Sequence, residues 1–357
     1  MGEIMKKVLF ILKRREDYNA ILHSHIGLST GLYNSATFVH EMLLKNNIIS
    51  NIEVVHDNNC IDKNVTKYKP THVIIEALWV VPEKFVILQK LHPDVIWIIR
   101  LHSELPFIAG EGNAMSWIGE YSKHKNVLIS ANSPRILEEV RNYLQHKNGW
   151  SDIKTEKSVI YLPNYYPQDY MKKPLYKNKK EINISCFGAV RPLKNHLTQA
   201  IAAIEFSNRI NKKLNFHVNT GRIEMKGEPM LNNLRGLFEQ VKNKGHRLID
   251  NPWTPREEFL KLCSTMDIGL QVSFTETFNI VGADLISQGV PLVGSTEIPW
   301  AFPLFTADPT SSEDIINKLS LAYEFPKINV WVNQRYLTKY TNQTEKTWVK
   351  YFKHRFC

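Results

Sequence analysis

Asp267-Ile268-Gly269-Leu270-Gln271-Val272-Ser273-Phe274-Thr275-Glu276-Thr277-Phe278-Asn279-Ile280-Val281-Gly282-Ala283-Asp284 runs on as Leu285-Ile286-Ser287-Gln288-Gly289-Val290-Pro291-Leu292-Val293. Residues 268–272 read as a buried strand that ends at Ser273, and a short loop then presents Glu276. A helix is expected over 277–288, stopped by Gly289 at C′, where glycine takes the left-handed conformation without steric cost. The next strand is expected over 290–293. The start of that helix offers N–H groups and a positive dipole end, which suits an anion such as a diphosphate. Glu276 and Asp284 lie about 12 Å apart along a helix axis at ~1.5 Å per residue, far enough to hold opposite ends of one ligand. The plainer reading makes Glu276 a capping acid and Asp284 a surface residue.

The same alternation extends in both directions. Strands are expected over 8–12, 52–55, 72–75, 95–101, 127–130 and 159–162, then over 182–187, 214–218 and 247–249. Leu32, Ala36, Val39 and Leu43 fall on one helical face, as do Leu197, Ala200, Ile201 and Ile204. Asn132-Ser133-Pro134 has the form of an N-cap followed by proline in the first turn. Further helices are expected over 230–243 and 256–265. Short apolar runs separated by helices argue for parallel sheets covered on both faces. The pattern restarts after a Pro- and Lys-rich link from Pro163 to Lys180. The expected fold class is therefore α/β, with two Rossmann-like domains facing a central cleft. The stretch from about Trp331 to Phe356 reads as an amphipathic helix whose Tyr336, Tyr340, Trp348 and Phe352 pack back on the body.

At 357 residues with 43% hydrophobic composition, the chain has the length of two domains and enough apolar residues to exclude intrinsic disorder. No apolar stretch approaches the ~18 residues of a membrane span, so no integral membrane association is expected. Cys60, Cys186, Cys263 and Cys357 are scattered without a C-x-x-C pair, as in a reducing compartment. The apolar run near the start is too short for a signal peptide. Position 6 is Lys where a myristoylation signal needs Ser or Thr. A cytoplasmic protein is expected.

The formal net charge is +10, from 45 Lys+Arg against 35 Asp+Glu. Residues 1–165 contribute about +2 of it. The remaining excess gathers in the link (Lys172, Lys173, Lys177, Lys179, Lys180) and in the C-terminal stretch (Arg335, Lys339, Lys346, Lys350, Lys353, Arg355). Such a bias suits an anionic partner, nucleic acid or acidic lipid, and equally a solvated surface.

Several motifs are missing. There is no G-x-G-x-x-G after a strand, no G-x-x-x-x-G-K-[ST], no H-E-x-x-H and no D-x-D. Chemistry is expected to rest on side-chain cations and backbone dipoles, with no metal and no cofactor. Ser185-Cys186-Phe187-Gly188-Ala189-Val190-Arg191-Pro192-Leu193-Lys194-Asn195-His196 supplies such cations. Its strand is expected to end at Gly188, with Arg191 and Lys194 in the following loop. Two fixed cations beside a helix start can neutralise a departing diphosphate; alone, the fragment also fits an exposed basic loop.

Together these segments resemble the nucleotide-sugar site of GT-B glycosyltransferases, in particular the retaining family-4-like group. That group carries G-x-x-R/K-x-x-K-N after the first strand of its C-terminal domain, here Gly188, Arg191, Lys194 and Asn195. It also carries E-x7-E before a G-x-P-V/L strand, here Glu276 and Asp284 followed by Gly289-Val290-Pro291-Leu292. The second acid departs from the pattern, being Asp and so one methylene shorter.

The resemblance implies a GT-B fold and a sugar transfer from a nucleotide-sugar donor, a UDP-sugar, which is substrate rather than cofactor. Arg191 and Lys194 would bind the diphosphate, Glu276 the sugar hydroxyls and Asp284 the ribose. The backbone at Thr277, Phe278 and Asn279 would meet the phosphates. His102, in Arg100-Leu101-His102-Ser103-Glu104, matches a histidine that touches the donor sugar. Gly27, in His23-Ser24-His25-Ile26-Gly27-Leu28-Ser29-Thr30-Gly31-Leu32, matches a glycine loop that closes over the diphosphate. Glu104 and Glu111 are placed near the acceptor without a role. The domains are expected as 1–168 on the acceptor side, 169–335 for the nucleotide-sugar, and 336–357 as the C-terminal helix.

The stretches from Glu76 to Phe85 and from Trp97 to Glu104 look like glycosyltransferases encoded by tailed phages. That implies the host cytoplasm and a hydroxymethylated pyrimidine in DNA as acceptor, reached as an extruded base. A surface glycan or lipid-linked acceptor, and a non-catalytic GT-B shell that only binds nucleotide or nucleic acid, are the competing readings.

Overall fold

The computed structural model describes residues 6–14, 30–171 and 180–353. Gly27 and its loop lie outside the described residues, as do Lys172–Lys179, Arg355 and Cys357. The chain forms two compact units, Met1–Pro167 with Thr341–Cys357, and Gln168–Tyr340.

In the first unit six strands form one sheet: β1 Lys7–Lys13, β2 Ile49–Val55, β3 His72–Glu76, β4 Ile96–Arg100, β5 Val127–Ala131 and β6 Val159–Tyr161. Their order is β2-β1-β3-β4-β5-β6 and every pairing is parallel. The reason is visible in β1. Leu9 and Ile11 join the core on one face of the sheet, while Val8, Phe10 and Leu12 join the core on the other. A strand buried on both faces has no position for a polar residue, hence the unbroken apolar run.

The helix Thr30–Lys45 places Ala36, Val39 and Leu43 in one of these cores, with Leu32 packed against it. Helix Pro134–Asn148 starts as its sequence indicates. Ser133 is the N-cap and its Oγ accepts from the Ile136 N–H at 3.3 Å.

The second unit repeats the plan with β7 Glu181–Val190, β8 Lys213–Ile223, β9 Arg247–Asn251, β10 Ile268–Gln271, β11 Leu292–Ser295 and β12 Thr306–Ala307. The order is β12-β11-β10-β7-β8-β9, again all parallel. Chain order therefore reverses between β7 and β10. In an open α/β sheet such a switch point leaves a crevice at the carboxyl ends of the strands, where ligands bind.

Four expectations need correction. β7 does not stop at Gly188 but runs on to Val190, through a register irregularity against β8. The helix expected over 277–288 begins only at Ile280, because Asn279 is left-handed (φ 62°) and caps it. The helical spacing drawn between Glu276 and Asp284 therefore does not hold over its first half. Ile201 faces solvent, the core contacts of helix His196–Arg209 coming from Ala200, Ala203, Ile204 and Phe206. Tyr336 is 43% exposed although its ring meets Phe302 edge-on at 5.0 Å.

The last helix is one element, Pro326–Lys353. Its Trp348 and Phe352 enter the second core of the first unit, Trp348 lying 6.3 Å from the Phe10 ring and donating its indole N–H to the Pro163 carbonyl at 2.8 Å. Among the described residues no helix is long and apolar enough to cross a membrane. Trp348→Ala empties a fully buried site and leaves the Pro163 carbonyl to its longer bond from Arg100 at 3.3 Å. A loss of about 3–5 kcal/mol is expected in urea unfolding, and a change under about 1 kcal/mol would show that this helix end is not structural.

Candidate donor site

The loops that leave β7 and β10 meet at the switch point of the second sheet. Arg191 is extended and precedes a single 3-10 turn, Pro192–Lys194. The Phe274 N–H, in the loop after β10, donates to the Leu193 carbonyl at 3.0 Å. Asn195, left-handed at φ 58°, donates its side-chain amide to the Val272 carbonyl (3.1 Å) and the Pro309 carbonyl (2.8 Å). Gln199 takes the Val272 N–H at 2.8 Å and gives its own amide to the Lys194 carbonyl at 2.8 Å. Asn195 thus serves as a clamp between the two loops, holding the backbone on which the cations stand.

Lys194 is almost buried, and its Nζ meets Glu276 Oε1 at 2.5 Å. Burial pushes the Glu276 carboxyl up, but Lys194 and Arg191 together hold it below its ordinary value. The two cations expected from sequence and the first acid are therefore brought together. Gly188 sits beside them at φ +115°, a conformation that side chains rarely adopt. A Cβ there would stand 3.5 Å from Lys194 Cε, an ordinary contact, so it is the backbone conformation and not the space that calls for glycine. Its N–H donates to Asn219 at 3.1 Å.

Asp284 is not on the surface. It is 3% exposed and ion-paired to Arg256, at the start of helix Arg256–Ser264. Asn279 accepts from the Gly282 N–H at 2.7 Å and donates to Gln271 at 3.0 Å. Phe278 is a core residue whose carbonyl receives the Trp300 indole N–H at 2.7 Å, while Thr277 is buried beside it. These three residues form a fixed turn ahead of the helix rather than its first turn.

Three site residues, Glu224, Arg222 and His196, were given no role by the sequence reading. Glu224, just beyond β8, pairs with Arg191 at 3.2 Å and also with Arg222 at the end of that strand. The Arg222 guanidinium in turn lies 5.2 Å from the Trp253 ring. Arg191, Arg222 and Lys194 thus face Glu224 and Glu276, leaving a small positive excess. His196 follows Asn195 with no exposure, and neither ring nitrogen has a hydrogen-bond partner among the described residues. Burial, then Lys194 and Arg191, lower its pKa to about 3.

In the first unit His102, two residues past β4, bonds to the Glu76 carboxylate. Glu76 ends β3, is 1% exposed and also takes Arg100 at 3.1 Å. Arg100 reaches on to Asn164 (2.6 Å) and the Leu162 and Pro163 carbonyls (3.3 Å each). Burial lowers the His102 pKa although Glu76 works to raise it, so the imidazole is neutral near pH 7. Glu104 is held by Ser133 and Arg135. Among the described residues no three His, Cys, Asp or Glu side chains cluster as a metal site.

Two parallel six-stranded Rossmann-like sheets, with cations at the carboxyl edge of the second, define a GT-B fold. Solved structures carry the same architecture. The chain matches the N-terminal domain of trehalose-6-phosphate phosphatase from Candida albicans with a TM-score of 0.71 at 12% identity, over 99% of this chain and 97% of that one. The UDP-forming α,α-trehalose-phosphate synthase of Burkholderia xenovorans matches at 0.65 and 10% identity, over 96% and 97%. HepE of Anabaena, in complex with UDP and glucose, matches at 0.61 and 10% identity, over 97% of each chain. No family model and no curated protein sequence matches the chain. At such identities the likeness is one of fold.

His196 makes the site's pH response testable. An unfolded histidine titrates near 6.5, the folded one near 3, so the unfolded state binds more protons between those values. Stability contributed by the neutral ring is complete above 6.5 and is lost as pH falls toward 3. Urea unfolding from pH 7 to pH 4 should show a slope that His196→Leu flattens by up to about 1.4 kcal/mol per pH unit. Equal slopes in the two proteins would contradict the assignment.

Proposed function

We propose that the chain is a glycosyltransferase that moves a sugar from a nucleotide-diphosphate donor, a UDP-sugar, to an acceptor hydroxyl, with retention and without a metal ion. The observation that carries this reading is the convergence of Arg191, Lys194 and Glu276 at the switch point of the second sheet. The bond from the anomeric carbon to the diphosphate oxygen breaks, and the acceptor oxygen bonds the same face. The acceptor proton passes to the departing diphosphate oxygen. Arg191 and Lys194 take up the charge that develops there, in a site where fixed cations act at low dielectric.

Glu276 is assigned to the sugar hydroxyls and Asp284 to the ribose. Gly188, Asn195 and the turn Thr277, Phe278 and Asn279 shape the phosphate side, and Gly27 is assigned there from its motif. His102 is assigned to the sugar, a contact for which a neutral imidazole oriented by Glu76 is suited. Retention and the UDP preference rest on the family resemblance, as does the acceptor, a hydroxymethylated pyrimidine in DNA.

UDP should raise the thermal unfolding midpoint. The double variant Arg191→Ala, Lys194→Ala should abolish that rise and lower kcat/KM by at least about 10²-fold; near-normal turnover would refute the phosphate assignment. Product anomers read by NMR decide retention. A panel of nucleotide sugars with hydroxymethylated DNA, plain DNA and lipid-linked saccharide, read by mass spectrometry, decides the acceptor, and transfer to the lipid-linked saccharide alone would replace DNA.

Glu224 now competes with any anion for Arg191 and Arg222. Glu224→Gln should therefore tighten UDP binding about fivefold, or about 1 kcal/mol, in isothermal titration. Weaker binding would mean that Glu224 orients the arginines instead of occupying them.

A further inference from the structure

We propose that the solvent-facing stripe of helix Pro326–Lys353 is a docking surface for the phosphate backbone of DNA. This deepens the DNA-acceptor reading and rests on it, not on the donor chemistry.

The helix carries Lys327, Arg335, Lys339, Lys346, Lys350 and Lys353 against Glu345 alone. Glu345 already accepts a hydrogen bond from Asn46 at 2.8 Å. At about 100° per residue, Arg335, Lys339, Lys346, Lys350 and Lys353 fall within an arc of about 60°, spread over about 27 Å of axis. All five are exposed. The row is fixed by a single helix, so it requires no further folding to present itself.

Trp331 borders the row, 56% exposed, and holds the Arg335 guanidinium 4.8 Å from its ring. A stacked arginine beside an open aromatic face is a pairing that suits nucleic acid. A helix lying on a bilayer instead needs its apolar face free. Here Leu337, Trp348 and Phe352 are buried in the protein, and the side that remains is polar and cationic from Arg335 onward. With no free apolar face to insert, the stacked arginine and open ring beside the row favour a nucleic-acid backbone over lipid headgroups, and each phosphate contact releases a counterion.

Anisotropy of a fluorescein-labelled duplex tests this across a salt series, with the full chain. The triple variant Lys339→Gln, Lys346→Gln, Lys350→Gln should bind roughly tenfold or more weakly at moderate salt. Its slope of log K against log salt should fall by about 0.9 for each lost contact. The control Lys242→Gln, Lys244→Gln, which alters exposed lysines elsewhere in the second unit, should leave the slope unchanged. Unchanged binding by the triple variant, an equal effect of the control, or sedimentation with phosphatidylserine vesicles in place of duplex binding would each overturn the proposal. Stabilisation by UDP, measured on the same proteins, reports separately on the donor site. Its persistence in a protein that ignores DNA would sink the docking surface and leave sugar transfer standing.

Discussion

The ion pair between Lys194 and Glu276 is the constraint on which the second unit's site depends. Both groups are nearly buried and 2.5 Å apart. Taking two charges out of water costs several kcal/mol each, and their attraction repays that only where geometry and further hydrogen bonds are good. The fold supplies them. Phe274, Asn195 and Gln199 tie the loop after β7 to the end of β10 through backbone contacts, so the lysine and the glutamate are set opposite each other before they meet. A pair held this way adds little to stability over apolar residues of equal volume. What it does achieve is to keep a cation desolvated and fixed in place.

The rest of the site has the same character, in that cations are matched by acids. Arg191 and Arg222 share Glu224, and Asp284 has Arg256. The site is therefore a set of matched pairs and not a bare cationic hole. Unmatched arginines and lysines this close together would repel one another and raise the cost of folding. The matched arrangement avoids that cost.

Most of the fold was legible because its strands are buried on both faces. Alternate residues of β1 serve two different cores, so the apolar run is unbroken and easily seen. β12 has two residues and leaves no such run. The late start of helix Ile280–Ser287 was hidden because Asn279 resembles an ordinary helix residue until its left-handed backbone and its bond to Gly282 are seen. Arg191, Lys194 and Glu276 were readable because each lies just past a strand end in a recognisable spacing. Arg222 and Glu224 were not, since it is the parallel pairing of β8 with β7 that carries them to Arg191. Glu76 was hidden for a like reason: only the pairing of β3 with β4, which sets Glu76 opposite Arg100, makes it a buried partner.

Charge in this chain divides by environment. Where it is buried, as at Arg100 with Glu76 or Lys194 with Glu276, each cation meets an acid, because an unpaired buried charge is not tolerated. Where it is exposed, no such rule applies, and a row of like charges persists only at a modest cost in self-repulsion that solvent and salt reduce. Among the described residues the exposed cations of the last helix have no acid paired with them, and they are free of any structural duty of the kind that Trp348 and Phe352 perform on its other side. The core requires the buried face of that helix, whereas nothing in the folding of either unit requires Lys339, Lys346 and Lys350 to be basic. Their sign is therefore open to selection by what the surface meets, independently of the core.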